Sequence, residues 1–184
     1  MNLLKVINRK PELITPQQSM NMRFVVLFLA FFSMFSVCYS FARGTVVEEI
    51  VVDELTVKPS AGVIGFFSKN LEVHPEGHRI ISNRLRLTIL NGCEGTESMF
   101  LLAAAVLAFP SSVRHKMIGL LAGVGFVYIL NQIRIASLFY ALLYDRDVFH
   151  FIHSLAGPTL IVFLIGGFFL FWISRTLAIQ KQHV

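Results

Sequence analysis

The chain has 184 residues, of which 55% are hydrophobic and only 15% charged, with 18 phenylalanines and a mean hydropathy of +0.67. A soluble domain of this length cannot hide so much apolar surface. The composition therefore indicates an integral membrane protein and excludes a disordered, collagenous or disulfide-scaffold chain. The net charge of +5 fits basic residues gathered at cytoplasmic flanks, so membrane lipid is the expected surroundings and no nucleic-acid partner is expected.

In chain order, residues 1–23 carry Lys5, Arg9, Lys10 and Arg23 and read as a cytoplasmic N-terminal segment. Residues 24–41 form the first apolar run. As a helix it rises roughly 27 Å, close to a bilayer core. It is long for the apolar core of a signal peptide, which favours a retained anchor; Ser40-Phe41-Ala42 is the weak cleavage-like site on which the alternative rests. Residues 42–93 are more polar. Val47, Ile50, Val51 and Leu55 are spaced for an amphipathic helix, which Pro59 should end or kink, and a second short helix should include Val63 to Phe67. Arg84 to Ile89 alternates as a half-buried strand does, and Pro75-Glu76-Gly77 signals a turn to a partner strand near Leu71 to Val73.

Residues 94–110 give a short second span, or a segment that dips in and returns. A loop at 111–116 bearing Arg114 and Lys116 follows. Residues 117–143 and 149–174 give the third and fourth spans, and 175–184 a basic tail. The expected fold is an all-α polytopic membrane protein, with four transmembrane helices and a small extracytoplasmic α+β cap between spans 1 and 2. The basic flanks put both ends in the cytoplasm.

Several polar residues are not explained by membrane insertion, and this topology brings them to the extracytoplasmic half. Arg134 stands about 15 Å from the outer end of the third span. Placing Arg in a span costs about 2.5–3.5 kcal/mol on insertion scales, so a role facing a bundle interior is expected. Asn131 lies three residues earlier on the same helical face and can orient the guanidinium or a substrate. Cys93 lies in the glycine-flanked turn Asn91-Gly92-Cys93-Glu94-Gly95, which opens a helix. It reads either as a nucleophile or as a small buried thiol. Glu94 and Glu97 oppose thiolate formation, so a cation such as Arg134 would be needed. His150 and His153 share a helical face, which suits acid–base chemistry or interfacial hydrogen bonding. No third ligand accompanies them, so no metal and no cofactor are expected. Cys38, inside the first apolar run, reads as inert packing, and a Cys38–Cys93 disulfide is not expected.

Cys93-Glu94-Gly95, Asn131-Gln132-Ile133-Arg134 and His153 to Gly157 form, in order, Cys-x-Gly, Asn-x-x-Arg and His-x-x-x-Gly. This set resembles the exosortase/archaeosortase family, polytopic membrane enzymes that process carboxy-terminal sorting signals, and is most similar to its compact exosortase H type. The resemblance covers residues 21–174 and is most specific across 91–160. It implies Cys93, Arg134 and His153 as the catalytic set, with Asn131 and His150 beside the substrate. The family histidine maps to His153 because Gly157 follows it at the right spacing. The implied substrate is the membrane-embedded tail of a secreted protein, of IPTLxxWG type, processed at the outer face of a bacterial inner membrane. Many members have more spans than the four expected here, and Cys-Ser-Gly is common where this chain has Cys93-Glu94-Gly95. The acyl acceptor, an amine or water, stays open. The competing reading is a non-enzymatic four-span scaffold or transport subunit.

Overall fold

The computed structural model describes residues 16–90 and 92–182. Lys5, Arg9, Lys10 and Asn91, named above, lie outside them. The chain is mostly helical. Its helices are α1 (Pro16–Ala42), α2 (Val46–Glu49), α3 (Lys58–Phe67), α4 (Thr96–Ala108), α5 (Val113–Tyr144), α6 (Arg146–Phe151) and α7 (Gly157–Gln182). The strands are β1 (His74–Glu76), β2 (Arg79–Ile81) and β3 (Arg86–Thr88).

Three helical segments are long and apolar enough to cross a membrane: Asn21–Ala42, Val113–Tyr144 and Arg146–Ala178. The fourth apolar helix, α4, has 13 residues. It packs against α1, α5 and α7, and aromatic pairs fix its direction. Phe100, near its start, meets Phe35 and Tyr39 late in α1. Phe109, just past its end, meets Phe169 and Trp172, and Phe169 also stacks on Phe24 early in α1. Thus α4 runs antiparallel to α1 and links the same two levels of the bundle. Leu102, Val106, Val127, Ile161, Ile165 and Trp172 form the bundle core. The opposite face of α1 exposes Val25, Val26, Leu29, Met34 and Val37, an apolar surface suited to lipid.

Between α1 and α4 lies a compact α+β segment. Thr45 caps α2 by accepting the Val47 amide. The chain then stays helical to Phe67, passing through a π-helical stretch at Ile50–Val57. Pro59 neither ends nor breaks it: the carbonyl of Leu55, four residues earlier, which a proline cannot serve, accepts from Gln132 Nε2 of α5 at 3.3 Å. The buried face of this helix also differs from the expected stripe. Val47, Ile50 and Leu55 are exposed and Val51 only partly covered, whereas Val52, Thr56, Val57, Ser60, Ala61 and Ile64 are buried.

The sheet is antiparallel in the order β1-β2-β3. Its first strand begins at His74 rather than at Leu71. Leu71 ends a 3₁₀ turn, and Glu72 takes a left-handed conformation (φ 49°) that interrupts extended backbone. Two further differences concern the long helices. Helix α5 starts at Val113 and takes Arg114 and Lys116 into its first turns, so the connection after α4 is shorter than 111–116. The last helix begins at Arg146 and extends past 174.

A second core holds Val52, Val57, Ile64, Ile80, Leu87, Ile89 and Cys93 against Ile135 and Phe139 of α5. Three hydrogen bonds of α5 side chains pin the α+β segment to α5: Ser60 Oγ donates to Gln132 Oε1 at 2.5 Å, Gln132 Nε2 donates to the Leu55 carbonyl at 3.3 Å, and the Ser68 and Tyr140 hydroxyls meet at 2.7 Å. Cys93 thus lies where the α+β core meets the helical bundle.

Candidate active site

Strand β3 leads directly to Cys93. The buried Ile89 donates its amide to the His78 carbonyl, and the turn after it closes when the Cys93 amide donates to the Leu90 carbonyl at 2.9 Å. The turn needs glycine twice, since Gly92 and Gly95 have φ of 89° and 84°. Gly95 is constrained further: a Cβ there would stand 2.8 Å from Asn131 Cγ. Asn131, 2% exposed, therefore underlies the turn that carries Cys93, and its Oδ1 has no hydrogen-bond partner among the described residues.

Arg134 projects from α5 one turn later. Its Nη2 lies 4.0 Å from Cys93 Sγ, and its buried Nε has no protein partner among the described residues. On the other side His153 Nδ1 is also 4.0 Å from Cys93 Sγ. Asp145 caps α6 by accepting the Asp147 and Val148 amides. After α6 the helix passes through a π-helical stretch at Ile152–Ala156, which contains His153. Such stretches recur at functional sites because the extra residue redirects side chains without breaking the helix. The Phe149 ring lies parallel to the His153 imidazole at 5.6 Å and fixes its plane. At Gly157 an added Cβ would be 2.7 Å from the Ile152 carbonyl oxygen and 3.4 Å from Arg134 Nε. A side chain there would disturb both the π-helical stretch and the path of the guanidinium.

The thiol is 8% exposed. Burial pushes the Cys93 thiol above its ordinary range; the Arg134 guanidinium pulls the other way, and the Glu94 carboxyl adds to the rise. Glu94 is itself buried. One of its oxygens accepts from Thr96 Oγ1 at 3.2 Å, and the other has no partner among the described residues. Tyr39 of α1 is buried facing it, with its hydroxyl also unpartnered. A cavity of about 250 Å³ adjoins the thiol, lined by Leu87, Leu90, Cys93, Phe149, His150 and His153 among others.

Cys93, Arg134 and His153 are thus brought together. His150 is exposed and lines the cavity, whereas Asn131 lies beneath the turn and does not. Cys38 is free and exposed on α1, and Cys93 is also free. Among the described residues no group of three or more His, Cys, Asp or Glu side chains is arranged to hold a metal ion. Sequence reasoning missed Tyr39, whose place opposite Glu94 depends on helix packing. It also missed the stacking partner Phe149, although its offset of four from His153 in a helical run was available as a signal.

A family model described as transmembrane exosortase, of the EpsH type, matches residues 13–172. No curated protein and no solved structure matches the chain.

Proposed function

The chain belongs to the transmembrane exosortase family, and from that premise we propose that it is a membrane cysteine transpeptidase or protease acting on carboxy-terminal sorting tails of secreted proteins. The observation that carries this reading is the convergence of Arg134 and His153, from separate helices, on one buried thiol, each at 4.0 Å. The 4.0 Å separations are contacts that tighten when substrate closes a site.

The chemistry follows from a thiol that rests neutral. His153 takes the Cys93 proton as sulfur attacks the peptide carbonyl. The carbonyl electrons move to oxygen, and Arg134, with donors not already committed to a carboxylate, receives that oxyanion. Collapse breaks the C–N bond, the proton on His153 passes to the departing amine, and a thioester remains on Cys93. An amine or water then attacks the thioester and releases the thiol.

The topology proposed with this mechanism has four crossings. Helix α4 crosses as the second, both chain ends are cytoplasmic, and the α+β segment caps the periplasmic face of the inner membrane. The antiparallel run of α4 between the two aromatic levels of α1 supports it, as do the basic residues Arg23, Arg114, Lys116 and Arg175 at one end of the spans. The proposed substrate bears an IPTLxxWG-type motif before its own apolar span.

Replacement Cys93→Ser tests the enzymatic reading against a scaffold or transport role. A cell expressing the variant should accumulate the protein normally and leave a tail-bearing reporter unprocessed. Full processing by Cys93→Ser would sink the thiol mechanism.

A further inference from the structure

Among the described residues no further strand pairs with the outer side of β1 or of β3, and these two edges are built differently. The β2–β3 register pairs Arg79 with Thr88, Ile80 with Leu87 and Ile81 with Arg86. The bonds flanking it are Ile89 N–H to His78 O at 2.8 Å and Ser82 N–H to Leu85 O at 3.0 Å. In an antiparallel ladder, hydrogen-bonded and non-bonded pairs alternate. With 78/89 and 82/85 bonded, 80/87 is bonded too. The N–H and C=O groups of Arg86 and Thr88 therefore point away from β2, to the open edge.

The same alternation carried to β1 gives a different result. Ile80 spends its backbone groups on β3, so its β1 partner Pro75 has its nitrogen on the outer edge. Proline offers no donor there, which blunts that edge against strand addition. The β3 edge has no proline.

The cavity beside the thiol lies against this open edge. It is lined by Leu87, Thr88, Ile89 and Leu90 in succession, together with Cys93. Side chains on a strand alternate between its two faces, and Leu87 and Ile89 are buried where Arg86 and Thr88 are exposed. Within the strand, Leu87 and Thr88 have opposite parity yet both line the cavity, and Ile89 and Leu90 just past the strand's end continue the lining, so the cavity runs along the edge and end of β3 rather than under one face. Ile135 and Leu138 of α5 with Phe149, His150 and His153 complete the lining, and the cavity, about 250 Å³, is on the scale of an apolar side chain or two.

We propose that the β3 edge is the docking strand for the substrate. On this reading, which rests on the thiol mechanism above, an extended peptide stretch next to the scissile bond adds to the sheet as a fourth strand. It pairs with the Arg86 and Thr88 backbone and places one apolar side chain in the cavity. Recognition is then shared between main-chain hydrogen bonds, which read extended conformation, and the cavity, which reads one side chain. The stretch from Thr88 to Cys93 carries the docked chain to the nucleophile.

The test uses the full-length protein with Cys93→Ala, so that binding is read without turnover. The probe is a labelled synthetic peptide holding an Ile-Pro-Thr-Leu-x-x-Trp-Gly motif and a short apolar extension, methylated at one backbone nitrogen at a time. A ladder predicts alternation: methylation at every second position on one parity weakens binding about tenfold, and the intervening positions change it little. Thr88→Pro removes the outward donor without touching the bonds to β2, and should weaken binding similarly, whereas Thr88→Ala should not. Uniform or absent sensitivity along the peptide would overturn the proposal. So would wild-type binding by Thr88→Pro with its thermal transition unchanged. Because the peptide scan uses a native β3, it decides even if the proline variant misfolds. Alternating binding together with full processing by Cys93→Ser would instead overturn the thiol mechanism and leave the docking edge standing.

Discussion

Replacing Arg134 by Gln keeps most of the side chain's length and removes its charge, and the consequence for Cys93 can be worked from one distance. A unit charge 4.0 Å from the sulfur favours the thiolate by about 1 kcal/mol if the surroundings respond like water, and by about 4 kcal/mol at an effective dielectric near 20. The loss of that attraction should move the thiol's titration further upward, from a position already above the ordinary thiol range. The assay is the rate of Cys93 alkylation by iodoacetamide against pH, in a Cys38→Ala background because Cys38 is free and exposed. Only the thiolate reacts, so the curve should move toward higher pH and the rate near neutrality should fall. Arg134→Lys should restore much of the titration but not the processing, since an ammonium lacks the planar fork that holds an oxyanion. An unmoved or lowered titration in Arg134→Gln would refute the electrostatic role, whatever happened to activity.

Two further predictions concern the geometry around the thiol. His153→Ala should slow the chemical step by about 10²-fold or more in a tail-cleavage assay, the usual scale for general acid–base catalysis. His150→Ala, exposed and without a contact to the sulfur, should cost far less; a dead His150→Ala beside an active His153→Ala would reverse the assignment. Gly157→Ala should impair processing and shift Cys93 alkylation, because its Cβ would press on the Ile152 carbonyl and approach Arg134. Gly119→Ala, whose Cβ would meet the Trp172 indole at 2.5 Å at the other end of the bundle, should lower thermal stability by about 1–3 kcal/mol and leave the alkylation curve where it was.

The polar site was legible in the sequence because membrane insertion makes polar residues expensive. Arg134 in a long apolar run requires an explanation, and the turn at Cys93 and the histidines supply one at the same depth. Helix faces were less legible. Around Val46–Phe67 the apolar stripe Val47, Ile50 and Leu55 is exposed, while Val52, Thr56 and Ile64 are buried. Periodicity separates apolar from polar faces, but here apolar residues stand on the exposed side and polar Thr56 and Ser60 on the buried side, so the pattern loses its direction. The π-helical stretches at Ile50–Val57 and Ile152–Ala156 leave no compositional mark at all. They matter here, since one of them contains His153. The first strand was misplaced because Leu71 and Val73 alternate like strand residues, yet the left-handed turn at Glu72 prevents extension there.

The buried Glu94 next to the nucleophile looks adverse, yet the raised thiol has a use. Catalysis gains only from interactions that are stronger in the transition state than in the ground state. Were Cys93 a resting thiolate, Arg134 would already be paired with it, and the donors needed by the oxyanion would be committed before the substrate arrived. Burial and Glu94 oppose that ion pair, and among the described residues Arg134 Nε has no partner and the guanidinium makes no carboxylate contact. In the proposed mechanism sulfur then acquires electron density only as His153 removes its proton, and the carbonyl oxygen acquires charge in the same step. The guanidinium meets both charges when they develop. Gly95 and Gly157 maintain this arrangement from opposite sides, the first by letting the thiol's turn settle on Asn131, the second by letting Arg134 pass close to the start of α7.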